Sequence, residues 1–198
     1  MPATIKPNNV TWHPSIALRF GFTGLPEEDA TGVVRRIIRD EFSPTLAYTD
    51  QCLYVMRLRG PVAIGYGERF SPVLYIGEGN AQTRLNGHAP WLARLLLSVP
   101  NIAIDIHVAE VRRQNHTSLC EYVEADMIRW FYDEYSYLPW FNQQRERSKE
   151  GHYEYEPEVR TKLSSLIGIG SGNAFLWAIR PTHNNAEVWS RYSSNSRE

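Results

Sequence analysis

VLYIGEGNAQTRLNGH, residues 73–88, runs from a short apolar stretch through a glycine-punctuated turn into a segment carrying Arg84 and His88. The first five residues are apolar, β-branched or aromatic and predict a strand. Residues 80–98 predict helix, with Gly87 and Pro90 as interruptions. Pro90 either sits inside that helix or begins a second one. Only in the first case do Arg84, His88, Trp91 and Leu95 fall at i, i+4, i+7 and i+11 on one face. A tyrosine, an arginine and a histidine following one strand in close order arm the edge of a sheet for chemistry on a phosphate, which arginine recognises through planar, permanently charged donors.

Working outward, residues 51–58 (QCLYVMRL) read as a strand and residues 59–71 as a loop with three glycines and a proline. Strands so close in sequence favour antiparallel pairing. Residues 101–111 (NIAIDIHVAEV) form the clearest strand, with Ile102, Ile104, Ile106 and Val108 on one face. Residues 117–135 predict a long helix, opened by a Thr-Ser pair with Glu121 shortly after, and ended by Leu138-Pro139. On that helix Glu124, Ile128, Phe131 and Tyr135 share a face, while Asp126, Arg129 and Asp133 share a polar one. Glu124 thus stands at the edge of an apolar stripe, where a carboxylate is costly unless paired, hydrogen-bonded or bound to a cation.

Residues 1–14 read as an irregular arm and residues 15–22 as a strand. Residues 26–42 read as a helix with Val33, Val34, Ile37 and Ile38 inward and Arg35, Arg36 and Arg39 as the densest basic group. Residues 143–158 read as a surface excursion, 157–167 as a short helix and 174–180 as a strand. GIGSG, residues 168–172, lacks the Lys-Ser/Thr of a phosphate-binding loop and reads as a turn. His107, His116, His152 and His183 show no ligand spacing and read as surface or loop residues.

With 198 residues, 42% hydrophobic and 22% charged, the chain is expected to fold as one domain. Its 21 basic and 22 acidic residues give a net charge of −1, which neither demands nor excludes nucleic acid; any such contact would come from basic residues gathered on one face. Cys52 and Cys120 are too few for a disulfide framework or a cysteine zinc site and read as buried thiols. There is no apolar run of membrane-spanning length and no signal-peptide pattern, so a cytoplasmic location is expected.

Taken together, CLYVM at 52–56, LYIGEG at 74–79, Arg84, His88, Glu124 and LPWFN at 138–142 resemble the GIY-YIG nuclease family. The two signature tyrosines fall on Tyr54 and Tyr75, and the family's arginine and histidine on Arg84 and His88. Its metal-binding glutamate falls on Glu124 and its asparagine on Asn142. The resemblance covers residues 51–143 and implies an α+β fold with a small antiparallel three-stranded sheet flanked by helices. Residues 1–50 and 144–198 are then N- and C-terminal extensions. It further implies a Mg2+ (or Mn2+) ion held by Glu124, Tyr54 as general base, Tyr75 orienting the water or sharing the proton, Arg84 at the phosphate, His88 hydrogen-bonded to the phosphate or to Tyr54, and Asn142 shaping the site. The implied activity is hydrolysis of double-stranded DNA, in a restriction-type enzyme acting as a homodimer. Cys52 in place of the family's usual glycine, a long loop between the strands, and Glu78 after the second motif depart from the pattern. They motivate a second class: a non-catalytic nucleic-acid-binding or partner-binding module on the same fold. An RNA-directed nuclease is a third reading.

Overall fold

The sequence CLYVMRL leaves no polar face, and in the computed structural model six of its seven residues are buried, so this strand runs through the middle of the molecule. The structure describes residues 3–19, 25–41, 51–99, 102–114, 116, 118–168 and 175–180. In chain order these hold β1 (Ala3–Ile5), β2 (Val10–Trp12), β3 (Ile16–Arg19), α1 (Glu27–Glu41), β4 (Cys52–Leu58), β5 (Val62–Tyr66), β6 (Arg69–Ser71), β7 (Val73–Gly79) and α2 (Ala81–Ser98). There follow β8 (Ala103–Val111), α3 (Leu119–Tyr135), β9 (Tyr153–Tyr155), α4 (Pro157–Leu166) and β10 (Trp177–Ile179). The fold is α+β, and no described helix is long and apolar enough to cross a membrane.

The main sheet is antiparallel, with β4 between β7 and β8. It has five strands where three were expected. β8 is nine residues long, and its outer edge is taken up by two short strands of the N-terminal extension. β2 pairs with its C-terminal end and β3 with its N-terminal end. Between them the His13 amide donates to the Val108 carbonyl at 3.0 Å, so the edge is hydrogen-bonded across the gap. The arm expected to be irregular is therefore part of the sheet. Its strands are too short to show a period of their own.

The expected loop at 59–71 contains the hairpin β5–β6, which β10 extends in parallel on its other side. Likewise the excursion after residue 143 contains β9, paired in parallel with β1. The expected turn after Gly168, the end of the first helix at Phe42, His183 and the tail after Ser193 lie outside the described residues. His107, expected at the surface, is half-buried on β8. Both cysteines are buried, as expected, and neither forms a disulfide.

α1 packs along α2 and buries Ala30, Thr31, Val34 and Ile38, leaving Arg35, Arg36 and Arg39 exposed. α2 continues unbroken through Pro90. α3 stops at Tyr135, ahead of Leu138-Pro139, where Ser136 takes a left-handed conformation with φ of 59°. Ser118 occupies its N-cap position but makes no side-chain cap bond, and Glu121 instead pairs with Lys149.

The polar face expected on α3 needs a larger correction. Asp126 is fully buried. Its carboxylate accepts the Gly151 amide at 2.7 Å and the Tyr155 hydroxyl at 2.8 Å, and pairs with Arg129 at 3.1 Å. Helical periodicity put it outside, but residues 151–155 fold over that side and satisfy it. Replacing Asp126 by Ala leaves the half-buried Tyr155 hydroxyl and the Gly151 amide without this acceptor. Urea unfolding is expected to report a loss of about 3 kcal/mol.

Candidate active site

Antiparallel register sets Gly77 directly across from Tyr54, and Tyr75 across from Met56. Because side chains alternate along strands, Tyr54, Tyr75 and Gly77 share one face. The two rings stack, with centroids 5.9 Å apart and planes 23° from parallel. A Cβ on Gly77 would lie 2.5 Å from both Tyr54 Oη and Tyr75 Cε1. The glycine of the Tyr-Ile-Gly triplet is thus the space that lets the two phenols converge. Tyr54 has no solvent exposure.

The helix after β7 begins at Asn80, whose side chain accepts the Thr83 amide at 2.9 Å. Its continuity through Pro90 keeps Arg84, His88 and Trp91 on one face. His88 Nε2 lies 3.4 Å from Tyr54 Oη, and its ring centroid lies 4.6 Å from that of Tyr75. The Trp91 indole donates to His88 Nδ1 at 3.1 Å. Burial, with Arg84 nearby, pushes the imidazole down to about 4, so it is neutral at physiological pH. Arg84 interacts with both phenols. Burial pushes both phenols above the ordinary tyrosine range, Tyr54 furthest, while the Arg84 charge opposes the shift.

Glu124 enters from α3. Burial, with Glu78 and Glu146 adding like charge, pushes its carboxyl up to about 8. Among the described residues no hydrogen bond or ion pair is made to it. Glu78 accepts the Cys120 thiol at 3.6 Å, and it too is raised above the carboxylate range, chiefly by burial. A partly buried carboxylate beside other acids, with no protein donor, is relieved by a cation. Among the described residues no group of three or more His, Cys, Asp or Glu side chains is placed to hold a metal ion. A lone carboxylate of this kind is the complement that a largely hydrated ion such as magnesium takes from a protein, whereas a structural zinc site closes on four protein ligands.

Asn142 is buried against the outer edge of β7. Its Oδ1 accepts the Ile76 amide at 3.0 Å and its Nδ2 donates to the Ile76 carbonyl at 2.7 Å. The Phe141 amide donates to the Leu74 carbonyl at 3.0 Å, so the backbone on both sides of Tyr75 is tied down. Phe141 also stacks on Trp91, centroids 3.9 Å apart.

These parts surround a cleft of about 890 Å³ whose walls include Tyr75, Glu78, Arg84, His88, Glu124 and Asn142. All six residues expected from the sequence come together. Tyr54 lies behind Tyr75 rather than in the cleft wall. Sequence reading gave no role to Trp91, Phe141 or Cys120; only the helical spacing of Trp91 from His88 hinted at one. No protein-family model, curated protein or solved structure matches the chain.

Gly77→Ala forces the two tyrosines apart, and thermal or urea unfolding is expected to show a loss of about 1–3 kcal/mol. A second expectation concerns acid. His88 is depressed from 6.5 to about 4 by folding, so its contribution to stability is complete above 6.5 and is lost as pH falls toward 4. The melting temperature of His88→Asn should therefore fall less steeply than that of the wild type across this window.

Proposed function

We propose that this chain is a Mg2+-dependent (or Mn2+-dependent) endonuclease of the GIY-YIG type that hydrolyses phosphodiester bonds in double-stranded DNA. We read it as a restriction-type enzyme acting as a homodimer, so that both strands are cut. The observation that carries the proposal is convergence: Tyr75, Arg84, His88, Glu124 and Asn142, from a strand, two helices and a loop, line one cleft, and Tyr54 stacks behind Tyr75. The three antiparallel strands β8–β4–β7, continued by α2 and α3, support it as a GIY-YIG core to which extension strands have been added.

In this reading Arg84 binds the non-bridging phosphate oxygens through its fixed fork of donors. Glu124 would hold the divalent ion, which when bound polarises the phosphate and steadies the leaving 3′ oxygen. Tyr75, the phenol in the cleft wall, lies against the attacking water and takes its proton. Tyr54, the expected base, shares the charge from behind. Burial keeps both phenols protonated and Arg84 opposes that rise, so the added positive charge of an ion held at Glu124 would be needed before one of the pair could ionise and accept the proton. Asn142 contributes by holding the strand that carries Tyr75. Hydrogen bonding to Cys120 gives Glu78 a protein partner, so Glu124 is the carboxylate left for the ion.

Supercoiled plasmid incubated with pure protein and Mg2+ should be converted to linear product. Glu124→Ala should cut more slowly by roughly a hundredfold or more while keeping its circular dichroism. A wild type that never cuts DNA, or a variant that cuts as fast as wild type, rejects the proposal.

A further inference from the structure

We propose that Trp91 is a positioning residue that fixes His88 in the Nε2–H tautomer, so that the imidazole always donates to Tyr54 and Tyr54 in turn donates toward Tyr75. The role given to this chain in turnover rests on the nuclease reading above; the tautomer does not.

An indole N–H is a donor only. The Trp91 Nε1–H bond to His88 Nδ1, at 3.1 Å, therefore occupies that nitrogen's lone pair. Burial beside Arg84 keeps the ring neutral, with a single proton. That proton resides on Nε2, the atom 3.4 Å from Tyr54 Oη. Tyr54 Oη cannot donate to an Nε2 that already carries hydrogen, so it accepts from it. Arg84 is a donor as well. The Tyr54 hydroxyl proton is left to Tyr75, the remaining partner among the groups that interact with this phenol.

The direction of this chain matters for the chemistry. Donors from His88 and Arg84 stabilise negative charge on the tyrosine pair, whereas an imidazole with a bare Nε2 would draw the Tyr54 proton toward itself and break the link to Tyr75. In this role Trp91 works through His88. It acts on which hydrogen bonds exist before substrate arrives, and its packing on Phe141 holds the indole in place.

The test uses 15N-labelled full-length protein, with His88 signals assigned by comparison with His88→Gln. Wild type should show Nε2 protonated and Nδ1 bare, and Trp91→Phe, which keeps an aromatic ring beside Phe141, should lose that preference. Single-turnover cleavage of supercoiled plasmid by Trp91→Phe should slow by about ten- to a hundredfold, with the half-saturating plasmid concentration unchanged. A wild-type His88 protonated on Nδ1 overturns the proposal, as does a Trp91→Phe variant that keeps the Nε2–H form or cuts at the wild-type rate. If Trp91→Phe does not fold, the wild-type tautomer alone decides. A wild type that cuts no plasmid sinks the nuclease reading, and the tautomer populations still decide whether Trp91 holds His88.

Discussion

The Asn142 amide sets the position of almost everything at the cleft. β7 is an outer strand of its sheet, so the amide and carbonyl of Ile76 face away from β4 and need partners. One side chain satisfies both, as a neighbouring strand would. Tyr66 extends the same restraint: its hydroxyl donates to the Val73 carbonyl at 2.6 Å and accepts the Trp140 amide at 3.0 Å. With the segment around 138–142 fixed against β7, Phe141 stacks on Trp91, and Trp91 bonds His88. The sheet edge and the helix above it are thus tied by one short loop. Loosening the amide would free Tyr75 and His88 together.

The electrostatics of the cleft follow from burial more than from formal charge. Glu124 and Glu78 are raised, His88 is lowered and the two tyrosines are raised, each mainly by desolvation. The groups there are held closer to neutrality than in water, while Arg84 keeps its charge. A chain of net charge −1 can present a locally cationic point to a phosphate in this way. The low dielectric that costs the carboxylates their charge also strengthens what Arg84 exerts on an anion.

Much of this arrangement was legible before any coordinates. Isoleucines alternating along β8, the fully apolar β4 and the four-residue spacing of Arg84 and His88 each carry a local pattern that tertiary packing only completes. Glu124 was legible for a related reason: a carboxylate at the margin of an apolar stripe invites a partner. What escaped were features with no local signature. The three-residue strands β1, β2 and β9 exist because a partner strand is there. Asp126 looked solvated by periodicity, and its donors lie some 25 to 29 residues further on. Pro90 was ambiguous because proline opens helices more often than it sits inside them, and here the surrounding packing overrides that preference. Trp91 was visible as an apolar neighbour of His88, but the direction of its N–H was not.

The two short strands along β8 also decide what that edge of the sheet can pair with. β8 alternates isoleucine and valine with small or polar residues from Ala103 to Ala109, and stripped of β2 and β3 it would offer an unpaired edge nine residues long. Such an edge is a template for another chain to add itself in register. The N-terminal arm therefore closes that edge to strand addition, and the residues around 51–143 cannot be treated as a module that travels without it.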